Sequence, residues 1–338
     1  MAVDPFCPID TESFVLPSKS FYGFEIPVEH WQLRHYISSP EPGVLYFANE
    51  HNLYCLNTIT KTRSLIASLP FKVRCTSAGY GWICAGGGEH GQFAIVRLDD
   101  GSAPAAEVDD LLPVEFSSRT TRRSSNPARL PKVKIDNIGK DIINSISIHQ
   151  LEALDEETDN EVVAVFTSND KTVRIYSLTY DKEAAVLELP FAINHSTISP
   201  NGKTLIAVGD VHQAYFYERR DPVLPASKLR STGSVSLQSS WEMINIFKLH
   251  VPPRSNTFGY FSTAWSPNGR MCAVASECGY ITVFNSDLIK TADSAEEAII
   301  DIVGSSRADS VPGAGSVRSM CFSPQPWDLL IWAEDHGH

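Results

Sequence analysis

Ser199-Pro200-Asn201-Gly202 and Ser266-Pro267-Asn268-Gly269 are the same four residues, each set between two short apolar runs, and Ser323-Pro324 occupies the same place a third time. Asn-Gly is strong hairpin chemistry, because both residues accept the backbone angles of a tight turn. The runs on either side, such as Thr204–Val208 and Met271–Ala275, have the length of strands. A chain that repeats strand, turn and strand in this way is built from stacked copies of one small unit, since no single unit can bury its own apolar face.

The best-defined unit centres on Ser168–Leu178. Val162-Val163-Ala164-Val165-Phe166 runs into the turn Ser168-Asn169-Asp170-Lys171, and Thr172–Leu178 leaves it with Val173 and Ile175 alternating against Thr172 and Arg174. Four short strands over about forty residues make one unit of a propeller-sized repeat. The first unit has strands at Leu33–Ile37, Val44–Ala48, Leu53–Leu56 and Ser64–Leu69, with a turn at Ser39–Gly43. The second runs through Val73–Ser77, Trp82–Ala85 and Phe93–Val96, and Lys132–Ile135 supplies its displaced fourth strand. The fourth, fifth and sixth contain the three Ser-Pro turns, and the sixth has only two strands. Residues 1–30 are rich in aromatics and prolines and are expected to lie against the body. Residues 31–338 then form the repeat domain, with insertions at about 99–131 and 219–240 where the composition shifts to Ser, Pro and charge.

An acid stands at the second turn of each unit: Glu50, Glu89, Asp170, Asp210, Glu277 and Asp335. A carboxylate there accepts backbone N–H bonds and holds the turn while its flanking strands are buried. These six are therefore read as structural turn acids rather than as catalytic groups.

The sequence resembles the WD-repeat propeller family at these residues and across nearly its whole length. The Gly-His opening of that family is absent, and its Trp-Asp pair is replaced by Ile175-Tyr176, Phe216-Tyr217 and Val283-Phe284. The implied fold is all-β: a WD40-like β-propeller with five full blades and an incomplete sixth. A sixth sheet of two strands leaves an unpaired edge, which favours a chain truncated at its C-terminus. The most specific stretch is Phe322–Gly337, with Ser323, Pro324, Pro326, Trp327, Asp328, Trp332, Glu334, Asp335 and Gly337. It is similar to the signature of a fungal family of WD-repeat proteins whose C-terminal segment is a domain of unknown function. Proteins similar to this family serve as substrate receptors of the yeast GID (CTLH-type) ubiquitin ligase. The resemblance thus implies ubiquitin-ligase subunits as partners and short peptide or N-terminal degrons as ligands.

Composition narrows the function classes. A formal net charge of −12 argues against general nucleic-acid binding, which needs a basic footprint. No apolar run reaches membrane-spanning length, and the N-terminus lacks a secretory pattern. Seven cysteines without a Cys-x-x-Cys pair, most inside strand-like runs, point to reduced thiols and a cytoplasmic or nuclear address. Gly86-Gly87-Gly88 is not followed by Gly-Lys-Ser/Thr, so it is no phosphate loop, and no Gly-x-Ser-x-Gly elbow is present. The ten histidines are scattered, His51 and His90 at turns, and read as turn or surface residues rather than metal ligands. No cofactor is called for.

Within the first insertion, Ser117–Pro127 is a basic island in which Arg122 lies three before Ser125 and Pro127 two after it. That spacing suits basophilic kinases and phosphoserine-binding adaptors, so Ser124 and Ser125 are candidate phosphorylation sites. The expected function is a non-enzymatic protein-interaction scaffold. The alternatives are an enzyme or small-ligand propeller with a site at the channel mouth, and a purely architectural subunit.

Overall fold

The computed structural model describes residues 20–24, 26–27, 30, 35–98, 131–152, 160–220, 239–251, 259–306 and 315–335. They form five four-stranded antiparallel sheets and one of two strands, each sheet following chain order. Sheet one is β1 (Ile37–Glu41), β2 (Val44–Asn49), β3 (Asn52–Asn57) and β4 (Thr62–Ser68). Sheet two is β5 (Val73–Gly79), β6 (Trp82–Gly87), β7 (Gln92–Arg97) and β8 (Val133–Asn137). Sheet three comprises β9 (Ile143–Leu151), β10 (Glu161–Ser168), β11 (Thr172–Ser177) and β12 (Lys182–Glu188). Sheet four comprises β13 (Ile193–Ile198), β14 (Thr204–Gly209), β15 (Gln213–Arg220) and β16 (Ser240–Lys248). In sheet five, β17 (Tyr260–Trp265), β18 (Met271–Ser276) and β19 (Tyr280–Asn285) are joined to β20 (Ile299–Gly304) through a 3-10 turn and the one-turn helix α1 (Ala295–Ala298). Sheet six is the pair β21 (Val317–Phe322) and β22 (Leu330–Glu334).

The first strands of consecutive sheets touch one another, β1 to β5, β5 to β9, β9 to β13, β13 to β17 and β17 to β21, so the sheets radiate from an axis. Radial stacking explains why second strands are apolar on both faces. Val163 and Val165 of β10 enter a core shared with sheet four, while Val162, Ala164 and Phe166 enter the core shared with sheet two. Five such cores separate the six sheets. The core between sheets four and five is anchored by Phe216, Phe247 and Phe284, each at most 2% exposed, with ring centroids 5.5 to 5.7 Å apart.

The structure corrects three boundaries. Of the expected first strand Leu33–Ile37, Leu33 and Arg34 lie outside the described residues; β1 is Ile37–Glu41, and the turn shrinks to Pro42-Gly43. Pro40 lies inside this strand and has no N–H to donate, and the register slips between Ser38 and Glu41. The second insertion is shorter than 219–240, because Arg219, Arg220 and Ser240 pair in the β15–β16 ladder. Of the first, expected at 99–131, all but Pro131 lies outside the described residues. Of the N-terminal segment, Phe24 stacks on Phe47 with centroids 4.6 Å apart, and the Tyr22 hydroxyl donates to the Thr58 carbonyl at 3.4 Å.

Candidate interaction surfaces and the axis

The six turn acids fall into different positions once register is known. Gly209 pairs with Ile193, Ser276 with Tyr260, and Glu334 with Val317, so Asp210, Glu277 and Asp335 follow equivalent residues. In sheet three Ser168 pairs with Ile143, which gives that position to Asn169, and in sheet two Val73 pairs with Gly87, which gives it to Gly88. Asp170 and Glu89 stand one residue later. The linear spacing hid this offset because the turns differ in length.

Asp170 nonetheless gathers bonds from its own sheet and from the link between β8 and β9. Its Oδ1 accepts from the Thr172 N–H at 3.1 Å and the Thr172 hydroxyl at 2.5 Å, and its Oδ2 from the Lys140 N–H at 2.9 Å. Burial works to raise its pKa, but these bonds and the Arg174 charge outweigh it and hold the carboxyl below its ordinary value. Asp210 is exposed and its Oδ1 accepts from the Asn194 amide at 2.8 Å. Glu50 takes a positive φ of 50°, and its carbonyl accepts from the Val73 N–H at 2.8 Å. The Glu89 carbonyl accepts from the Gln92 N–H at 3.0 Å.

The second residues of β5, β9, β13, β17 and β21 are Arg74, Asn144, Asn194, Phe261 and Arg318. Asn144 and Asn194 reach the turn of their own sheet, at Asn169 and Asp210. Phe261 cannot donate, and Arg318 of the next sheet takes over its task. Arg318 Nη2 donates to Glu277 Oε1 and its Nε to Asp335 Oδ2, both at 2.9 Å. Its guanidinium lies 4.5 Å from the centroid of the Phe261 ring. Arg318 and Glu277 are each 4% exposed. This triad joins sheet six to sheet five.

Three histidines meet on the axis, a cluster that reading each histidine in its own segment did not find. His35 precedes β1, His149 is in β9 and His195 in β13. The His35 and His195 rings stack with centroids 4.7 Å apart, and His35 Nε2 donates to the Phe261 carbonyl at 3.3 Å. His195 Nδ1 accepts from the Thr263 N–H at 3.1 Å, with the Thr263 hydroxyl at 2.8 Å. His149 Nε2 accepts from the Ile198 N–H at 3.2 Å and lies 2.8 Å from the Ser147 hydroxyl. Burial pushes His35 and His149 down to about 4, in His35 against the Phe261 bond, which favours the proton. Burial, then the charges of the other two imidazoles, puts His195 well below the ordinary range. Among the described residues, no group of three His, Cys, Asp or Glu side chains is placed to hold a metal ion.

The described part of the motif, Phe322–Asp335, runs from the end of β21 through the β21–β22 loop and β22. The Ser323 hydroxyl accepts from the Leu329 N–H at 2.9 Å, as Ser199 and Ser266 do for Thr204 and Met271 in the two Ser-Pro-Asn-Gly turns. Asp328 has a φ of 46° and its Oδ2 accepts from Asn268, in the neighbouring turn, at 2.9 Å. Pro324 and Pro326 are exposed, Pro326 after a cis bond. Trp327 between these features is 69% exposed. Trp332 Nε1 donates to Glu334 Oε1 at 2.8 Å, which also accepts from the Ser306 N–H at 2.9 Å. Gly337, Ser124 and Ser125 lie outside the described residues.

Residues 315–338 match the family described as an uncharacterised protein domain, DUF2415. An uncharacterized protein of Schizosaccharomyces pombe, C4G3.03, is 27% identical over 198 residues, covering 58% of this chain and 47% of that protein. The chain spans about half the length of this curated relative. A chain in the crystal structure of the mitotic checkpoint complex superposes with a TM-score of 0.51 at 11% identity, over 95% of this chain and 79% of that one. The fold is a WD40-like β-propeller. Its sheets are blades, and the described part of the matched segment, 315–335, holds the two strands of sheet six and the Trp327 loop. Among the described residues, no helix of the propeller is long and apolar enough to cross a membrane. Cys75, Cys84 and Cys272 are buried free thiols whose pKa values burial raises, whereas Cys321, expected inside an apolar strand, is exposed.

Proposed function

We propose that the propeller is a non-enzymatic protein-interaction scaffold that serves as a substrate receptor of a ubiquitin ligase, with other proteins or short peptides as its ligands. Trp327 carries this reading. A large aromatic side chain held out from a loop tied to its neighbour through Asp328 and Asn268 suits an interface anchor, because aromatic residues dominate binding hot spots. The resemblance of the surrounding motif to a fungal WD-repeat family, some relatives of which serve as ligase receptors, supports the choice of partner. Within this reading the α-amino group of a peptide N-terminus pairs with Asp210, which is exposed and bonded by the uncharged Asn194 amide, whereas Glu277 and Asp335 already face Arg318. The alternative of an enzyme or small-ligand site at the channel mouth gains no support from the axis, where His35, His149 and His195 already have hydrogen-bond partners.

The test is affinity purification from the native cell with the full chain, Trp327→Ala and Asp210→Asn. Ligase subunits should accompany the unaltered chain, and Trp327→Ala should lose at least one partner at an unchanged melting temperature. Asp210→Asn should weaken peptide capture. Purification free of ligase subunits would overturn the receptor role, and full retention by Trp327→Ala would overturn the anchor.

A further inference from the structure

Hydrogen-bond direction fixes the protonation of the axial cluster independently of any titration. A backbone N–H can only donate. His195 Nδ1, facing the Thr263 N–H, is therefore a bare acceptor, and so is His149 Nε2, facing the Ile198 N–H. A proton on either nitrogen would set N–H against N–H and break the bond. The two bonds span blade boundaries: Thr263 is in blade five and His195 in blade four, while Ile198 is in blade four and His149 in blade three. His35 extends the set, since its carbonyl accepts from Thr76 of blade two at 2.7 Å while its ring lies on His195 and bonds Phe261 of blade five. Blades three, four and five thus meet at the three imidazoles, together with the segment that leads into β1.

We propose that these imidazoles are an acid-released lock on the axis: proton uptake at His149 and His195 parts blade four from blades three and five and frees the segment that carries His35. Each proton comes from solvent, which reaches the half-buried His149 directly and His195, 7% exposed, as the axis opens. The groups that face the cluster are the Phe261 carbonyl and Thr263 from β17, Ser147 from β9, and Thr197 with the Ile198 N–H from β13. Among the described residues, the titratable groups that act on His195 are the imidazoles of His35 and His149, and no carboxylate rewards the protonated form of any of the three. The sign follows. Released from these bonds, the histidines titrate near the free value of about 6.5, above their value while bonded. Closure is therefore fully favoured above that pH and is lost as pH falls toward 4. Linkage makes the opening ratio rise by up to about tenfold per pH unit for each proton taken up, or about a hundredfold for two.

Amide hydrogen exchange at Ile198 and Thr263, corrected for intrinsic rates, tests this between pH 7 and 5. In the unaltered protein both amides should open with the steep acid dependence just given, while amides of the Ala85–Ala94 core between blades one and two should not. His195→Asn with His149→Gln keeps an acceptor at each position but cannot titrate, and should flatten the profile at Ile198 and Thr263. A flat profile in the unaltered protein, the same slope at core amides, or an unchanged slope in the double variant would each overturn the proposal. The first two outcomes need only the unaltered chain.

Discussion

Arg318 offers the sharpest energetic test, because one side chain serves two carboxylates in a site nearly closed to water. Glu277 and Arg318 side chains are each 5% exposed and that of Asp335 18%. Arg318→Ala withdraws the guanidinium while both acids stay in place, and removing one member of a buried ion pair costs about 3–5 kcal/mol. Loss of the contact with the Phe261 ring adds up to about 1 kcal/mol. For a chain of this size about 2 °C accompanies each kcal/mol, so the melting midpoint should fall by about 6–12 °C. Calorimetry at neutral pH measures it, with urea unfolding as the second probe. Arg318→Met combined with Glu277→Gln and Asp335→Asn removes the charges together and should recover most of the loss, since buried ion groups gain little over neutral residues of similar volume. Arg318→Lys should lie between, lacking the fork that meets two acids at once. A drop below about 2 °C for Arg318→Ala would refute the argument. So would a triple variant less stable than the single one.

Other substitutions address other levels. Phe216→Ala opens a cavity in the core between blades four and five and should cost about 3–5 kcal/mol by urea unfolding. Gly91→Ala should destabilise strongly, because a Cβ there would lie 1.9 Å from the Ile138 carbonyl at a φ of +63°; an unchanged melt would contradict that geometry. Phosphate at Ser124 or Ser125 should appear in mass spectra of protein from its native cell with phosphatases inhibited, where it would add about −2 charge beside Arg122 and Arg123. Its complete absence would remove that idea.

The blade pattern was legible because it is local. Val162–Phe166 and Met271–Ala275 announce strands buried on both faces, and Ser-Pro-Asn-Gly marks the same hairpin twice. Distances set by stacking were not legible. Asp170 and Asp210 looked like one position until register showed Asn169 at the second, since turns of different length preserve spacing while shifting alignment. His35, His149 and His195 belong to separate strand segments, and only radial packing brings them together. Their one sequence signal was placement: His195 lies inside a first strand, Ile193–Ile198, where an exposed residue is not expected. Pro40 misled the reading of β1, because a proline suggests a turn and here sits within an irregular strand.

The bond from His35 to Phe261 crosses 226 residues. During synthesis His35 emerges with the first blade and waits until the fifth exists before its ring has a partner. Blade pairing is local and precedes this closure, which belongs on the native side of the folding barrier. Replacing His35 should therefore leave the refolding rate nearly unchanged and speed unfolding. A contact that does little to build the ring would then set how long the finished ring lasts.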